Sequence, residues 1–178
     1  MRLGRLILFI LCTLIISTCN LAGADLSAPN LAHKTFRAKV VRILDGDTME
    51  VLYNDRDRIK IRLAHIDCPE KRHSQPFANR AKQTLSNLCF GQYVTVDGDN
   101  YDHFGRLIAV IVNGSKQIVN QEMVRQGMAW HFKKYSKDSV YAKLEQEARL
   151  NRVGLWQDHN PIAPWKWRKP KTMVGNSN

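Results

Sequence analysis

The sequence predicts one α+β domain that is mainly β, in which five short strands close into a barrel and about three helices pack on it. Two observations predict this class. From Thr35 onward, apolar and polar residues alternate in short runs that end at turn-forming residues, as in half-buried strands. Between and after these runs, apolar residues recur at helical spacing. The 178 residues suffice for one domain with one core.

The strand predictions rest on β-branched and apolar residues that lie between turns. The first three strands form a meander through the Asp-Gly-Asp turn at 45–47 and the Asn-Asp turn at 54–55. In the third strand, alternate apolar residues between 59 and 63 share one face, and Arg62 lies on the other. The five predicted strands are 36–44, 48–53, 58–66, 93–97 and 107–112.

Three helices are predicted, one after the third strand and two after the fifth. Pro76 suits the first turn of the first helix, and Gly91 follows its end. Gly127 ends the second helix, and Gly154 is the expected C-cap of the third. Five strands with a helix inserted after the third match an OB-type Greek-key barrel. The predicted helices are 77–88, 119–126 and 140–151.

The N-terminal residues are typical of a secretory signal peptide. Two arginines precede an apolar run at 6–16 that is short for a membrane span, and small residues at 22–24 form a cleavage site. We therefore predict that residues 1–24 are removed and that the mature chain is periplasmic or secreted. An uncleaved anchor and a lipoprotein signal at Cys19 are the alternatives.

The mature chain divides into three predicted parts. Residues 25–34 are expected to form a flexible lead-in to the domain, which covers 35–157. Residues 158–178 form a basic tail with Trp and Pro that we expect to lie over the domain as an irregular segment. Without residues 1–24, which carry two arginines and no acids, the formal net charge is +9. This excess favours a polyanionic partner, with nucleic acid first and an anionic membrane second.

Two cysteines, Cys68 and Cys89, remain once the signal peptide is removed. In an oxidising compartment they could form a disulfide, and two separate buried thiols are the alternative. Spacing does not decide between these, because a disulfide depends on three-dimensional geometry. Neither cysteine lies in a Cys/His cluster with the spacing of zinc ligands, so no zinc site is predicted.

Three polar clusters combine the residue types that phosphodiester cleavage needs. They are residues 45–48, Arg62 with residues 67–70, and residues 102–106. Negative charge builds on the phosphoryl oxygens, and arginine neutralises it best because its planar fork bonds two oxygens at once. A hard cation can bind a phosphate oxygen and hold the attacking water, and a carboxylate can orient or deprotonate that water. The clusters supply Arg62 and Arg106, an ion site at Asp47 and Asp67, and Glu70.

Each cluster alone has an ordinary structural explanation. Asp-Gly-Asp at 45–47 is a common turn, residues 67–70 could begin a helix, and Gly-Arg at 105–106 could be a turn with a solvated arginine. Their occurrence together on a basic chain favours the chemical interpretation. In an antiparallel pair, the start of the second strand neighbours the end of the third, so Asp47 and Asp67 can meet.

The same clusters carry a resemblance to a known family. From about Phe36 to about Trp156 the chain resembles the staphylococcal nuclease (thermonuclease) family. The resemblance implies an OB-type barrel and a nuclease that uses one calcium ion to cleave the P–O5′ bond of DNA and RNA, leaving 3′-phosphate ends. The matching strings are ILDGDT at 43–48, IRLAHIDCPE at 61–70, DHFGR at 102–106, VN at 119–120, VRQGMA at 124–129 and GLW at 154–156.

The resemblance also implies roles for individual residues. Glu70 is expected to act as general base or to orient the attacking water. Arg62 and Arg106 are expected to grip the scissile phosphate and stabilise the transition state. Few carboxylates around a calcium ion imply weak binding, which suits the millimolar calcium found outside cells. The implied calcium ligands are the carboxylates of Asp47 and Asp67 and the backbone carbonyl of Cys68.

Some positions depart from the best-known member of the family. A lysine–tyrosine pair that holds the nucleotide's terminal phosphate there is His103-Phe104 here, which removes a fixed charge and a hydroxyl. We expect the phosphate grip to be weaker or to depend on pH. Tyr135 matches one of two base-side tyrosines, and the other position falls near Lys133. His103, Phe104 and Tyr135 are therefore the predicted substrate contacts.

A non-catalytic OB-type module that only binds nucleic acid is the alternative function. Such a module has no need of Arg62, Glu70 and Arg106 together with acids that would repel the strand. We therefore favour an enzyme that acts as a monomer on DNA and RNA, without a stable membrane partner. His65 is predicted to be structural, and the aromatic and basic residues at 130–135 to serve either strand stacking or core packing.

Overall fold

The computed structural model describes residues 29–72 and 74–168. The predicted signal peptide at 1–24, its cleavage site and Cys19 lie outside this range, as do tail residues 169–178. Among the described helices, none is long and apolar enough to cross a membrane.

Five strands close into the predicted barrel. The seven strands of the described residues are β1 (Thr35–Ile43), β2 (Thr48–Tyr53), β3 (Asp57–Leu63), β4 (Ile66–Asp67), β5 (Tyr93–Tyr101), β6 (Leu107–Val112) and β7 (Trp130–His131). The barrel order is β1-β2-β3-β6-β5, and β1 pairs with β5 to close it. Neighbours are antiparallel except β3 and β6. β4 and β7 form a separate pair.

The three predicted helices form within about one residue of their expected bounds. The described helices are α1 (Ala78–Cys89), α2 (Val119–Arg125), α3 (Ser139–Leu150) and α4 (Pro164–Trp167), with a 3₁₀ helix at Gly154–Gln157. The Asp138 side chain caps α3 by accepting a hydrogen bond from the backbone of Val140. Pro76 lies before α1 rather than in its first turn, because Phe77 takes a left-handed backbone conformation with φ of 69°. α4 was not predicted.

The barrel interior is filled by the alternating apolar side chains of its strands. On β3, Ile59, Ile61 and Leu63 are buried and Lys60 is exposed, as the alternation predicts. Arg62 therefore points away from the barrel core. α1 covers part of the barrel through side chains that include Ala81, Leu85 and Cys89. The mainly β fold class is thus confirmed, and it leaves Arg62 on the outer face of the barrel.

The third predicted strand is interrupted. The sequence predicts one strand to residue 66, but β3 ends at Leu63 and the chain turns at His65, whose φ is 68°. β4 then starts and pairs with β7. Asp67 therefore reaches Asp47 through a turn and not at the end of a straight strand. The alternative that residues 67–70 begin a helix is wrong, since the next helix starts at Ala78.

Part of the lead-in packs against the barrel, and the predicted C-cap of α3 lies elsewhere. Leu31, in the expected flexible lead-in, is 2% exposed, and its backbone N–H donates to the Tyr101 hydroxyl. Gly154 begins the 3₁₀ helix and does not cap α3. A Cβ there would lie 2.3 Å from the carbonyl oxygen of Gly127, so this close contact of two backbones requires glycine.

Cys68 and Cys89 are free thiols, and both are buried. The Cys89 thiol donates to the Leu85 carbonyl in α1 at 3.1 Å. Burial raises the pKa of Cys89 to about 12. Of the two arrangements left open by the sequence, the structure has the separate buried thiols.

Candidate active site

A cleft of about 510 Å³ opens beside the β3–β4 turn, the β5–β6 loop and the segment after β7. It collects all the side chains that the sequence singles out for chemistry or substrate contact. Cys68, whose predicted role involves only its backbone carbonyl, follows Asp67 in the chain. The predicted site side chains that line the cleft are Asp47, Arg62, Asp67, Glu70, His103, Phe104, Arg106 and Tyr135.

Arg62 is held by four groups. Its Nη1 donates to the backbone carbonyls of Leu63 at 2.7 Å and Ile66 at 2.9 Å. Its Nη2 lies 2.9 Å from an Asp67 oxygen and 3.2 Å from Asp47 Oδ2. The side chain is only 14% exposed. Arg62 therefore stabilises the β3–β4 turn and brings together the two carboxylates predicted to bind calcium.

Asp47 is fixed by the chain around it. Its Oδ1 accepts from the Thr48 hydroxyl at 3.0 Å, and its Oδ2 accepts from the Cys68 backbone N–H at 2.9 Å. The preceding residue must be small, because a Cβ on Gly46 would lie 2.8 Å from the Cβ atoms of Ala81 and Cys68. The Asp-Gly-Asp turn thus packs directly on α1, which positions Asp47.

Several acids in the cleft interact unfavourably with one another. Burial, followed by the charges of Asp47 and Glu70, raises the pKa of Asp45 above its usual value. Burial also raises the pKa of Asp67, although a hydrogen bond from Arg168 opposes the change. Partly buried carboxylates that repel one another are stabilised by a cation between them.

The oxygen donors of this site suit calcium. The buried Asp45 Oδ1 has no hydrogen-bond partner among the described residues, and a nearby cation would satisfy it. Across residues 29–72 and 74–168, no group of three or more His, Cys, Asp or Glu side chains is arranged to hold a metal ion. The predicted site requires fewer: the carboxylates of Asp47 and Asp67, the Cys68 carbonyl, and water, all of them oxygen ligands of the kind calcium prefers.

Arg106 faces the cleft from the β5–β6 loop and is oriented by Asp102. Its Nε and Nη2 lie 2.7 and 2.6 Å from Asp102 Oδ2. Asp102 Oδ1 accepts from the backbone N–H groups of Phe104 and Arg106. Partial burial favours a higher pKa for Asp102, but the hydrogen bonds from Arg106 outweigh it and lower the pKa. Asp102 is therefore ionised and holds the arginine fork in place, a role that sequence reasoning did not assign.

Exposed aromatic rings form the rim of the cleft. Phe104 is 70% exposed, with its ring 3.8 Å from that of His103 and 5.3 Å from the Arg106 guanidinium carbon. On the other side, Tyr135 is 69% exposed and meets Phe132 edge-on. Exposed rings beside arginines are suited to stacking on nucleotide bases.

The segment at 130–135 divides between buried residues and residues that line the cleft, so core packing is confirmed for the first group and strand stacking stays a prediction for the second. Trp130 and His131 are buried, so they serve core packing. Phe132 and Tyr135 line the cleft. Lys133 pairs with the buried Glu145 at 3.1 Å.

One arginine in the cleft was missed by sequence reasoning. Arg168 follows α4, and its Nη1 and Nη2 lie 3.2 and 2.7 Å from the two carboxylate oxygens of Asp67. Its Nη1 also donates to Glu70. The sequence offers no local signal for this contact, because Arg168 is one of several basic residues in a tail without periodic pattern.

A family model described as staphylococcal nuclease homologue matches residues 60–158, more than half of the chain. The chain belongs to the staphylococcal nuclease family. A micrococcal nuclease of Shigella flexneri is 45% identical over 79% of this chain and 85% of its own length. An uncharacterized endonuclease of Haemophilus influenzae is 43% identical over 76% of this chain and 74% of its own length. The staphylococcal-like nuclease CAN1 of Arabidopsis thaliana is 37% identical over 78% of this chain and 41% of its own length.

These comparisons confirm the family and the enzyme class predicted from the sequence. The chain is a nuclease with an OB-type barrel, and the alternative of a module that only binds nucleic acid is wrong. In this nuclease, three sequence-distant clusters meet in one cleft, together with Asp102 as a partner of Arg106 and with Arg168.

Proposed function

We propose that this nuclease is an exported monomer that hydrolyses DNA and RNA at the P–O5′ bond in a calcium-dependent reaction, leaving 3′-phosphate ends. The observation that carries the proposal is the presence of Arg62, Glu70 and Arg106 around one cleft that also contains an acidic, oxygen-lined site. The membership of the staphylococcal nuclease family supports the same reaction.

The calcium ion would be held by the carboxylates of Asp47 and Asp67 and by the backbone carbonyl of Cys68, with Asp45 acting through water. When bound, the ion supplies positive charge to a phosphoryl oxygen and a coordination position for the attacking water. The hydrogen bonds from Thr48 and Arg62 to these acids limit their movement before the ion arrives. The two carboxylates are thus held near each other before the ion binds.

Arg62 and Arg106 act on the scissile phosphate. Each guanidinium carries five N–H donors. Arg106 uses two of them on Asp102 and keeps three for phosphoryl oxygens, whereas Arg62 directs both Nη groups at protein oxygens and keeps its Nε–H. Because these donors are already oriented, they stabilise the charge that develops on phosphorus oxygens without further reorganisation. Glu70 accepts a proton from the attacking water or orients it, and its side chain is 24% exposed, so water can reach it.

The test is a cleavage assay on the purified mature protein with single-stranded DNA, duplex DNA and RNA, in calcium or in a calcium chelator. Glu70→Gln keeps the size of the side chain but removes the base, so we expect a loss of roughly 10²- to 10⁴-fold in kcat with nucleic-acid binding retained. Glu147→Gln, in an exposed side chain on α3, is the matched control and should cleave normally. The polymer cut fastest identifies the preferred substrate.

Three results would reject parts of the proposal. Undiminished cleavage in chelator would reject calcium dependence, and undiminished cleavage by Glu70→Gln would reject the role of Glu70. Product ends that a polymerase extends without prior phosphatase treatment carry a free 3′-hydroxyl and would reject cleavage at the P–O5′ bond.

Export and the monomeric state need separate tests. N-terminal sequencing of the protein recovered from its native compartment should begin at Asp25 if residues 1–24 are removed. A lipid-modified N-terminus at Cys19 would instead establish the lipoprotein alternative. Light scattering on the purified mature protein in solution should give the mass of one chain.

A further inference from the structure

The last described segment of the chain is tied to the loop that carries Glu70. Gln75 is buried, and its Oε1 accepts from the Glu70 backbone N–H at 2.9 Å. Its Nε2 donates to the backbone carbonyl of Ile162 at 2.7 Å. One side chain therefore joins the Glu70 loop to the segment that leads into α4.

α4 is packed on the segment that follows β7. The Trp165 ring stacks on Phe132, with centroids 5.3 Å apart and an interplanar angle of 7°, and meets Trp130 edge-on at 5.6 Å. Ala163 and Pro164 are buried. Because α4 is packed in this way, the fold determines where Arg168, the next residue, lies.

Arg168 takes up both carboxylate oxygens of Asp67. Its Nη2 lies 2.7 Å from Oδ2, and its Nη1 lies 3.2 Å from Oδ1 and also contacts Glu70. Arg62 shares the Oδ1 atom at 2.9 Å. Both oxygens of Asp67 thus have a guanidinium partner, and the fork geometry is the strong bidentate kind.

Calcium ligation by Asp67 requires the same oxygen atoms. Each carboxylate oxygen has two lone-pair sites. Oδ1 of Asp67 uses both, on Arg62 and Arg168, and Oδ2 uses one on Arg168, so the departure of Arg168 frees a site on each oxygen for a metal ion. A calcium ion and a guanidinium at one carboxylate would also repel each other. Arg62 is tied to two backbone carbonyls and cannot leave easily. The Arg168 side chain is 42% exposed, and within residues 29–72 and 74–168 its polar contacts are the carboxylates of Asp67 and Glu70.

We propose that Arg168 is a positioning residue of the active site, a tethered cation that holds Asp67 and Glu70 while no metal is bound and leaves them when calcium binds. The proposal rests on the calcium site of the proposed function. Arg168 keeps the repelling acids in place in a calcium-poor environment, and its displacement makes calcium binding weaker than the acids alone would allow. The enzyme then assembles its site only where calcium is abundant.

The test is calcium binding measured by titration calorimetry on the metal-free protein, without substrate. Arg168→Gln removes the charge and the fork, so calcium should bind roughly three- to tenfold more tightly because no charge-assisted hydrogen bonds have to be broken. Arg168→Lys keeps the charge without the fork and should fall between the two. Lys166→Gln is the matched control, since it removes the same charge from an exposed position of the same segment.

A second measurement follows the guanidinium itself in the unmodified protein, so it holds even if Arg168→Gln unfolds. In ¹⁵N-labelled protein, the side-chain N–H signals of Arg168 are assigned by their absence in Arg168→Lys. They should be resolved and slowly exchanging in chelator. Calcium should shift these signals and accelerate their exchange with water. The calcium concentration at half of this change should agree with the affinity measured by calorimetry.

The outcomes separate this proposal from the proposed function. Equal calcium affinity with and without Arg168, or Arg168 signals that calcium leaves unchanged, would overturn the displacement and leave the calcium site standing. An equal gain in calcium affinity in Lys166→Gln would show that the loss of any positive charge in this segment causes the effect. That result would also overturn the displacement of Arg168. No calcium binding by any of these proteins would overturn both proposals.

Discussion

Arg62 and Arg106 line one cleft, but different kinds of structure hold them. Arg62 lies on a barrel strand, 14% exposed, and contacts two backbone carbonyls and two carboxylates. Arg106 follows a loop turn, is 25% exposed, and has Asp102 as its charged partner. The first arginine holds distant parts of the chain together, while the second contacts residues of its own loop.

The sequence motifs assign the same role, contact with the scissile phosphate, to both arginines, but the structure gives them different surroundings. The Arg62 side of the cleft combines buried acids, the β3–β4 turn and the turn at Gly46, all packed on the barrel or α1. The Arg106 side is a loop with exposed His103 and Phe104. We expect the Arg62 side to be rigid, so that substitutions there lower the free energy of unfolding. We expect the Arg106 side to adapt its conformation to the substrate.

Lysine substitution of the two arginines should give the largest effects. Arg62→Lys and Arg106→Lys should each lower kcat roughly 10²- to 10³-fold, because a lysine cannot replace the oriented N–H donors of a guanidinium. Arg62→Lys should also lower the free energy of unfolding by about 1–3 kcal/mol, and by more than Arg106→Lys does, since buried carbonyls lose their donor. Urea unfolding measures this term, and equal stability of the two variants would break the comparison.

Two glycines sharpen the same contrast. Gly46→Ala should cost about 1–3 kcal/mol of stability, because its Cβ would collide with Ala81 and Cys68 at 2.8 Å. The Cβ of Gly105→Ala meets no atom of the described residues within 4 Å, but φ of +72° still costs about 1 kcal/mol. Thermal unfolding should therefore show the greater loss at Gly46. A larger loss at Gly105 would show that the loop is the more rigid side.

Asp102→Asn should lower kcat by about tenfold, because Arg106 loses the partner that orients its fork. The lowered pKa of Asp102 in the folded protein means that its ion pair adds stability above the ordinary carboxyl pKa of 3.8 and that this contribution is lost as pH falls through the lowered value. The free energies of unfolding of the unmodified protein and of Asp102→Asn should thus differ at pH 7 and converge in strong acid. A constant difference across that range would contradict the ion pair.

His103→Lys should have the smallest effect. A fixed positive charge on the exposed loop should lower KM for DNA by about two- to fivefold at pH 8, with kcat little changed, because another cation attracts phosphate. The gain should shrink as salt concentration rises, since salt screens the attraction of an exposed charge for phosphate. Steady-state kinetics at two salt concentrations test this, and an unchanged KM would place His103 away from the phosphate.

Most of the barrel follows from the sequence. The bounds of β2 and β6 match the predicted 48–53 and 107–112, because alternation of burial is a property of neighbouring residues. The prediction fails at β4 and β7, which are two residues each. Such short elements carry no period, and their pairing depends on the turn that Arg62 stabilises.

The catalytic candidates also follow from the sequence, but their partners do not. Arg62, Glu70 and Arg106 stand in motifs that are each ordinary but whose combination points to phosphate chemistry. Asp102 lies within one of these motifs, yet only its contacts show that it orients Arg106. The tail residues 158–178 were expected to lie on the surface, and nothing in their composition distinguishes Arg168 from its basic neighbours.

By itself, the sequence determined the strands of the barrel, the family and the identity of the arginines and acids, because alternation, turn chemistry and motif spacing act over a few neighbouring residues. Only the tertiary structure decided that Cys68 and Cys89 remain thiols, and that Arg168 contacts Asp67 across 101 residues of chain. A contact between residues so far apart in the sequence depends on the tertiary packing of the chain. The packing of Trp165 on Phe132, which positions Arg168, is part of that packing.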